Sequence, residues 1–274
     1  MPRYFLPYQQ AIAQRVLDDP FFLGVNLVEM WIPTDNYLTN VSGACSSWRG
    51  VKQGITWTQS TAGNRPLIST FRGTPCLSFN GTSHTMSLPP WEFDITNNVP
   101  GFTIATVHAW SAAPTVNRII FISQSGGDAR ISSYGGRTSG LEGSAFKRLD
   151  SDSESIQGSQ GSIIANRLTV KIVSANYAAN TNFTSNNGTI FTGVPSSSGP
   201  GNTSATSSSR IELGSYQANV AFFQGPIMMV VAVRAALSLQ EAERLGGIMA
   251  WMTNSQSSLI GSHPYANNPP LIGG

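Results

Sequence analysis

Residues 102–110 read FTIATVHAW. Phe102, Ile104, Thr106, His108 and Trp110 form one row, and Thr103, Ala105, Val107 and Ala109 form the other. A period of two is that of a β-strand, and apolar residues in both rows suit a strand in the inner layers of a sandwich. The same period recurs at 25–32, 75–79, 119–123, 163–174 and 210–216. A seventh stretch, 222–232, is interrupted by Gly225-Pro226. Clusters such as Ser125-Gly126-Gly127-Asp128 and Asn186-Asn187-Gly188 separate these runs and carry turn chemistry. The chain therefore predicts an all-β domain with no internal repeat.

Two helical segments flank the strands. Residues 8–19, YQQAIAQRVLDD, set Ile12, Val16 and Leu17 on one side before Pro20 ends the pattern. This arm is too short to be stable alone, so it must pack on its own domain or dock on a neighbour. Tyr8, Ile12, Val16 and Leu17 are its candidate docking residues. At the other end Ser238-Leu239-Gln240-Glu241 spells a capping box, followed by an apolar stripe of Leu239, Ala242, Leu245, Met249 and Met252. Gly246-Gly247 inside that helix costs about 1 kcal/mol per residue in propensity, which predicts close packing of another group. The Ser/Gly/Pro-rich stretch 194–210 reads as a long loop, because strand patterning resumes directly after it. The organisation expected is an N-terminal arm over 1–24 and one domain over 25–274.

Composition narrows the function. Only 11% of the 274 residues are charged, against about 25% in typical domains. Sixteen Lys and Arg against fourteen Asp and Glu leave a formal charge of +2. There is no basic footprint for nucleic acid and no polybasic patch for a membrane surface. Residues 226–237 are too short for a membrane span and contain Arg234. Pro2, Pro7, Gln9 and Gln10 interrupt any leader-like apolar run at the start. Cys45 and Cys76 are expected as buried thiols, and His84, His108 and His263 have no metal-ligand spacing. No metal or other cofactor is expected.

With the strands placed, a family likeness emerges. LVEMWIPTDNYLT at 27–39, Ser47-Trp48-Arg49-Gly50, Gln59, Arg65-Pro66 and Leu77-Ser78-Phe79-Asn80-Gly81-Thr82 resemble the opening of concanavalin A-like jelly-roll domains of the laminin-G type. Leu237-Ser238 through Glu241-Ala242-Glu243-Arg244, Ala250-Trp251, His263-Pro264-Tyr265 and Pro269-Pro270 resemble that family's terminal helix and tail. The resemblance implies a jelly-roll sandwich of two antiparallel sheets, with Trp31, Trp48, Phe79 and Trp251 as core aromatics. Pro33, Gly50 and Asn80 stand where the family usually has acids that knit loops or help to hold calcium. The family is frequent in bacteriophage structural proteins and bacterial surface proteins.

Glycoside hydrolases share this superfold, and retaining hydrolysis needs two carboxylates about 5–5.5 Å apart. Glu92 and Asp94 supply only half of the expected strand pattern, beside Pro89-Pro90. Asp150, Asp152 and Glu154 fall in a Ser-rich loop, and neither a nucleophile elbow nor a phosphate loop occurs. The chain is therefore expected not to be an enzyme. For binding, His108 and Trp110 on one strand, with Arg130 and Tyr134 on a second, form a candidate polar-aromatic patch for sugars. The competing reading makes Trp110 core and His108 a hydrogen-bonded strand histidine. The function expected is a non-enzymatic bacteriophage virion protein, in the capsid or the tail, mediating assembly or adhesion. Its alternative is a carbohydrate-binding adhesin for host surface glycans. The partners expected are other virion proteins and further copies of the chain, without nucleic acid or membrane insertion. Release by host lysis would make a signal peptide unnecessary.

Overall fold

A computed structural model describes residues 17–88, 96–125, 128–137, 140–149, 151–157, 160–193, 199–203, 210–217 and 220–270. Two antiparallel layers carry the strands. In the first, β8 (Gly101–Ala109) lies between β13 (Leu168–Asn176) and β17 (Gln224–Val233). β14 (Thr181–Asn186) and β15 (Thr189–Thr192) extend it beyond β13. On its other side β17 meets β6 (Thr74–Asn80) with one half and β1 (Leu27–Trp31) with the other, and β5 (Leu67–Phe71) continues from β6.

The second layer pairs β9 (Arg118–Ser125) with β10 (Asp128–Gly135) on one side and β16 (Arg210–Leu213) on the other. β11 (Glu142–Phe146) and β12 (Ser155–Gln157) complete one end. The other end runs through β7 (Met86–Ser87), β4 (Thr56–Thr58), β3 (Ala44–Arg49) and β2 (Leu38–Val41). A single pairing, Ala44 with Leu67, joins the layers at that end. This is the expected jelly-roll sandwich.

The alternation of β8 explains its burial on both faces. Phe102, Ile104 and, just beyond the strand, Trp110 enter the core between the sheets, with Trp31, Trp48, Trp57, Phe79 and Phe121. Ala105, Val107 and Ala109 face a second core beneath the C-terminal helix α2 (Leu239–Met252). The capping box forms as read: Glu241 N–H donates to Ser238 Oγ at 3.2 Å, and Ser238 N–H donates to Glu241 Oε2 at 2.7 Å. The close packing expected at the glycine pair is Tyr265, whose ring carbons would lie 2.5–2.6 Å from a Cβ on Gly247. Trp31, Trp48 and Phe79 are core residues, while Trp251 is half-buried and donates its indole N–H to the Tyr265 carbonyl.

The missing acids have local replacements. A Cβ on Gly50 would fall 2.0 Å from the Glu29 carboxyl carbon, so Gly50 makes room for a carboxylate from another strand. Glu29 is fully buried and accepts N–H bonds from Lys52, Gln53 and Ile55, closing the 50–55 loop. Asn80 Oδ1 accepts from Thr82, Ser83 and His84 at 2.9–3.0 Å, a loop-knitting role that its neutral amide performs.

Three expectations change. β17 is not broken at Gly225-Pro226. Its ladder with β8 begins at Ile227, so Pro226 lies just outside that ladder, while on the β6 side it stands opposite Ser78 and the strand runs on through it. Residues 163–167 form a turn before β13 and are not its first strand residues. Pro20 opens a five-residue helix, α1 (Pro20–Gly24), at the first helical position where its lack of an N–H is harmless. Leu17 packs half-buried against the second core, and buried Asp19 pairs with Arg244 of α2 at 3.0 Å. Tyr8, Ile12 and Val16 lie outside the described residues, as do Glu92 and Asp94.

Candidate functional site

The inter-sheet layer changes character along its length. Near β1, β3 and β4 it is aromatic: Trp31 and Trp57 rings lie 5.4 Å apart, and Trp57 meets Phe121 edge-on at 6.3 Å. Near Trp110 and Phe223, 4.7 Å apart, it begins to turn polar. Beyond them a carboxylate is buried, and a buried charge needs partners. Glu142 Oε1 accepts from Trp110 Nε1 at 2.9 Å and lies 3.2 Å from His108 Nε2. Lys171 Nζ stands 2.9 Å from Glu142 Oε2 and donates to the Gly143 carbonyl at 2.6 Å. Lys171 belongs to the first sheet and Glu142 to the second, so the pair ties the two layers together.

Burial alone would push the Glu142 carboxyl up, but Lys171 and His108 outweigh it and hold the group below the usual carboxylate range. Burial also pulls the Lys171 ammonium below its ordinary value, against the opposing pull of Glu142. Deeper along the same layer, Gln160 Nε2 donates to Ser144 Oγ at 2.7 Å and to Thr184 Oγ1 at 3.0 Å. Ser144, Gln160 and Thr184 are all buried. Asn182 and Gln157 continue this network toward β12, with Gln157 Nε2 donating to Asn182 Oδ1 at 2.6 Å.

This polar end opens to solvent in a cleft of about 190 Å³, bounded by Glu142, Gln160, Arg167, Asn186, Asn187 and Phe191 among others. It lies where β13 begins, β14 ends and β11 begins, with the 160–167 segment along its rim. Asn187 serves the fold, because its Oδ1 accepts from Val170 N–H at 2.8 Å. Gln160 and Asn186 are different. Gln160 Oε1 and Asn186 Oδ1 are buried and accept no hydrogen bond among the described residues, although both residues line the cleft. A buried acceptor left unmet costs about 1–3 kcal/mol, and both oxygens belong to residues that line the cleft. Phe191 is half-buried and Ile164 is exposed, giving the opening an apolar side as well.

The four residues singled out for binding are each 0–1% exposed. His108 and Trp110 share Glu142 as acceptor, because their row on β8 faces the inter-sheet core. The Tyr134 carbonyl accepts from Lys171, while its hydroxyl donates to the Ser144 carbonyl at 3.3 Å and burial pushes that phenol up to about 12. Arg130 sits at the far end of β10, where its carbonyl accepts the Tyr177 hydroxyl. The fold therefore gathers the His108 and Trp110 side chains around Glu142, while the Tyr134 ring packs apart with Ile119, Ile122 and Ala145 and Arg130 lies elsewhere on β10. An exposed patch made of all four is not built. Of the loop acids, Glu154 pairs with Arg137 at 2.9 Å and Asp152 accepts from Leu149 N–H, while Asp150 lies outside the described residues.

Sequence reading missed Glu142, Gln160, Arg167, Lys171 and Asn186. One signal was present: Lys171 falls in the same row of LTVKIVSAN as Val173 and Ala175, and a lysine in an inward row calls for a buried partner. Glu142, Gln160 and Asn186 are far apart in sequence, and only the pairing of the two sheets brings them together.

No protein-family model matches the chain, and no curated protein matches it in sequence. Solved structures do resemble it. Trypanosoma rangeli sialidase in complex with sialic acid superposes with a TM-score of 0.53 at 14% identity, covering 86% of this chain and 34% of the sialidase. The same sialidase with 2,3-difluorosialic acid gives 0.53 at 12% identity, covering 94% and 39%. The CBM40 of a Ruminococcus gnavus sialidase, bound to α2,3-sialyllactose, gives 0.48 at 14% identity, covering 61% and 93%. This chain spans little more than a third of the Trypanosoma enzyme, and at these identities the likeness is one of fold.

Proposed function

We propose that the chain is a non-enzymatic, lectin-like adhesion protein of a bacteriophage virion, and that the cleft between Gln160, Arg167, Asn186 and Phe191 holds a glycan. The observation that carries the binding role is the pair of buried, unmet amide oxygens, Gln160 Oε1 and Asn186 Oδ1, at the cleft wall. Sugar hydroxyls are donors suited to such oxygens, and an aromatic ring beside them is suited to a sugar's apolar face. The cleft is smaller than the roughly 300–1,000 Å³ pockets that enclose a drug-sized ligand, so one sugar unit of a longer chain is what it would take. The Glu142 carboxylate is committed to Lys171, His108 and Trp110, which argues for a supporting role at the floor of the cleft and against acid catalysis there.

The virion setting rests on the sequence resemblance and on a surface with few charges. In that setting the N-terminal arm docks on other virion proteins and copies of the chain associate. Purified full-length protein applied to a glycan array should give discrete binders, which Gln160→Leu and Asn186→Ala weaken at least tenfold. An array without binders, or binders indifferent to both substitutions, would contradict the binding role. Incubation with particles lacking the protein tests the setting: stoichiometric capture, lost on deletion of residues 1–16, is the expected result. Capture unchanged by that deletion would remove the arm's role, and no capture at all would remove the virion setting.

A further inference from the structure

Arg167 is the cation of the cleft. It is exposed, it lines the opening, and among the described residues no hydrogen bond or ion pair engages its guanidinium. Among the described residues that line the cleft Glu142 is the one acid, and its charge is already answered by Lys171 at 2.9 Å. The carboxylate and ammonium cancel, so Arg167 leaves the opening with a net positive charge. A second guanidinium stands at the same turn, where Arg72 Nη2 donates to the Asn166 carbonyl at 3.0 Å. In a chain with so few charges, an arginine without a counter-charge at the mouth of a polar cleft is a specific feature.

The two kinds of group in the cleft ask for opposite partners. Gln160 Oε1 and Asn186 Oδ1 require donors. A guanidinium has only N–H donors in a planar fork, and its best partner is a carboxylate, sulfate or phosphate oxygen pair. We infer that the glycan unit held in the cleft bears an acid group, which pairs with Arg167 while its hydroxyls donate to Gln160 and Asn186. This rests on the glycan-binding reading above and adds to it the class of sugar. Its two-sided recognition also disfavours inorganic anions, which meet Arg167 but leave both amide oxygens without donors.

The test is a set of matched glycan pairs, each a neutral oligosaccharide and its carboxylated or sulfated counterpart, titrated against full-length protein. Wild type, Arg167→Gln, Arg167→Lys and Gln160→Leu are compared, with thermal unfolding confirming that each variant is folded. The acid-bearing member should bind about tenfold more tightly, consistent with a charge-assisted bond of about 1.5 kcal/mol. Arg167→Gln should bring the two members to parity, and Arg167→Lys should keep part of the preference. Gln160→Leu should weaken both members alike. The inference is overturned, with glycan binding intact, if both members bind equally and Arg167→Gln changes neither. If no glycan binds the folded wild type, the glycan-binding reading itself fails. Sodium sulfate alone, competing as well as an acidic glycan, would show an anion site without sugar recognition and would also overturn it.

Discussion

The two ends of the space between the sheets are built on opposite principles. At one end Trp31, Trp48, Trp57 and Phe121 fill it with rings, so burial of apolar area does the work and no charge is needed. At the other, Glu142, Lys171, Ser144, Gln160 and Thr184 fill it with groups that hold together only while every partner is present. A buried charge pair is a poor way to gain stability compared with well-packed apolar residues. The pair lies at the end where Gln160 and Asn186 line an opening to solvent.

That contrast can be broken by mutation. Lys171→Met should give the largest effect, about 3–5 kcal/mol lost in urea unfolding, because it strands the Glu142 carboxylate in the core. Adding Glu142→Gln should recover much of that loss, and a single variant costing under 1 kcal/mol would show that the pair is not buried as described. Acid should act on the same group. The Glu142 pKa is depressed in the folded state, so its contribution is present above the unfolded value of about 4.3 and disappears as pH falls below it. Wild-type stability should therefore drop steeply below about pH 4, and the Glu142→Gln variant should show a shallower slope there.

At the aromatic end, Trp57→Ala should cost a similar 3–5 kcal/mol by leaving a cavity, with glycan binding preserved at temperatures where the variant is folded. Loss of binding in that folded variant would mean that the two ends are not independent. Outside both ends, Ser238→Ala removes the helix cap and should cost about 1 kcal/mol, with no change in binding. The mildest effect belongs to His84 and His263. Burial lowers both pKa values, so the unfolded chain binds more protons as pH falls through about 6.5, and stability should decline slightly between pH 7 and 5. A chemical-denaturation series across that range checks the sign.

The strands that build the aromatic core were legible because both their rows are apolar, as in β8 and β17, and the terminal helix was legible from its cap. The short strands β2, β4, β5 and β15 were not, since pieces such as LTNV and TWT are too brief to show a clear alternation. The candidate site was least legible. His108 and Trp110 are read as a polar-aromatic pair for sugars, and their ring nitrogens instead meet Glu142 inside the sandwich and not on its surface. The residues that line the opening come from separate segments, at 142, 160–169, 186–191 and 260, and nothing local in Gln160 or Asn186 distinguishes them from the chain's other amides. Sheet pairing gives them their meaning.

The most direct test of the cleft is amide chemical-shift mapping of the full-length protein, titrated with the tightest binder from the array. Shifts concentrated at Gln160, Gly161, Arg167, Thr169, Asn186 and Asn187, with the aromatic end unchanged, are the expected result. Saturable shifts centred elsewhere, for example on Ser46, Gln59 and Arg65 of the opposite polar groove, would contradict the assignment of the site.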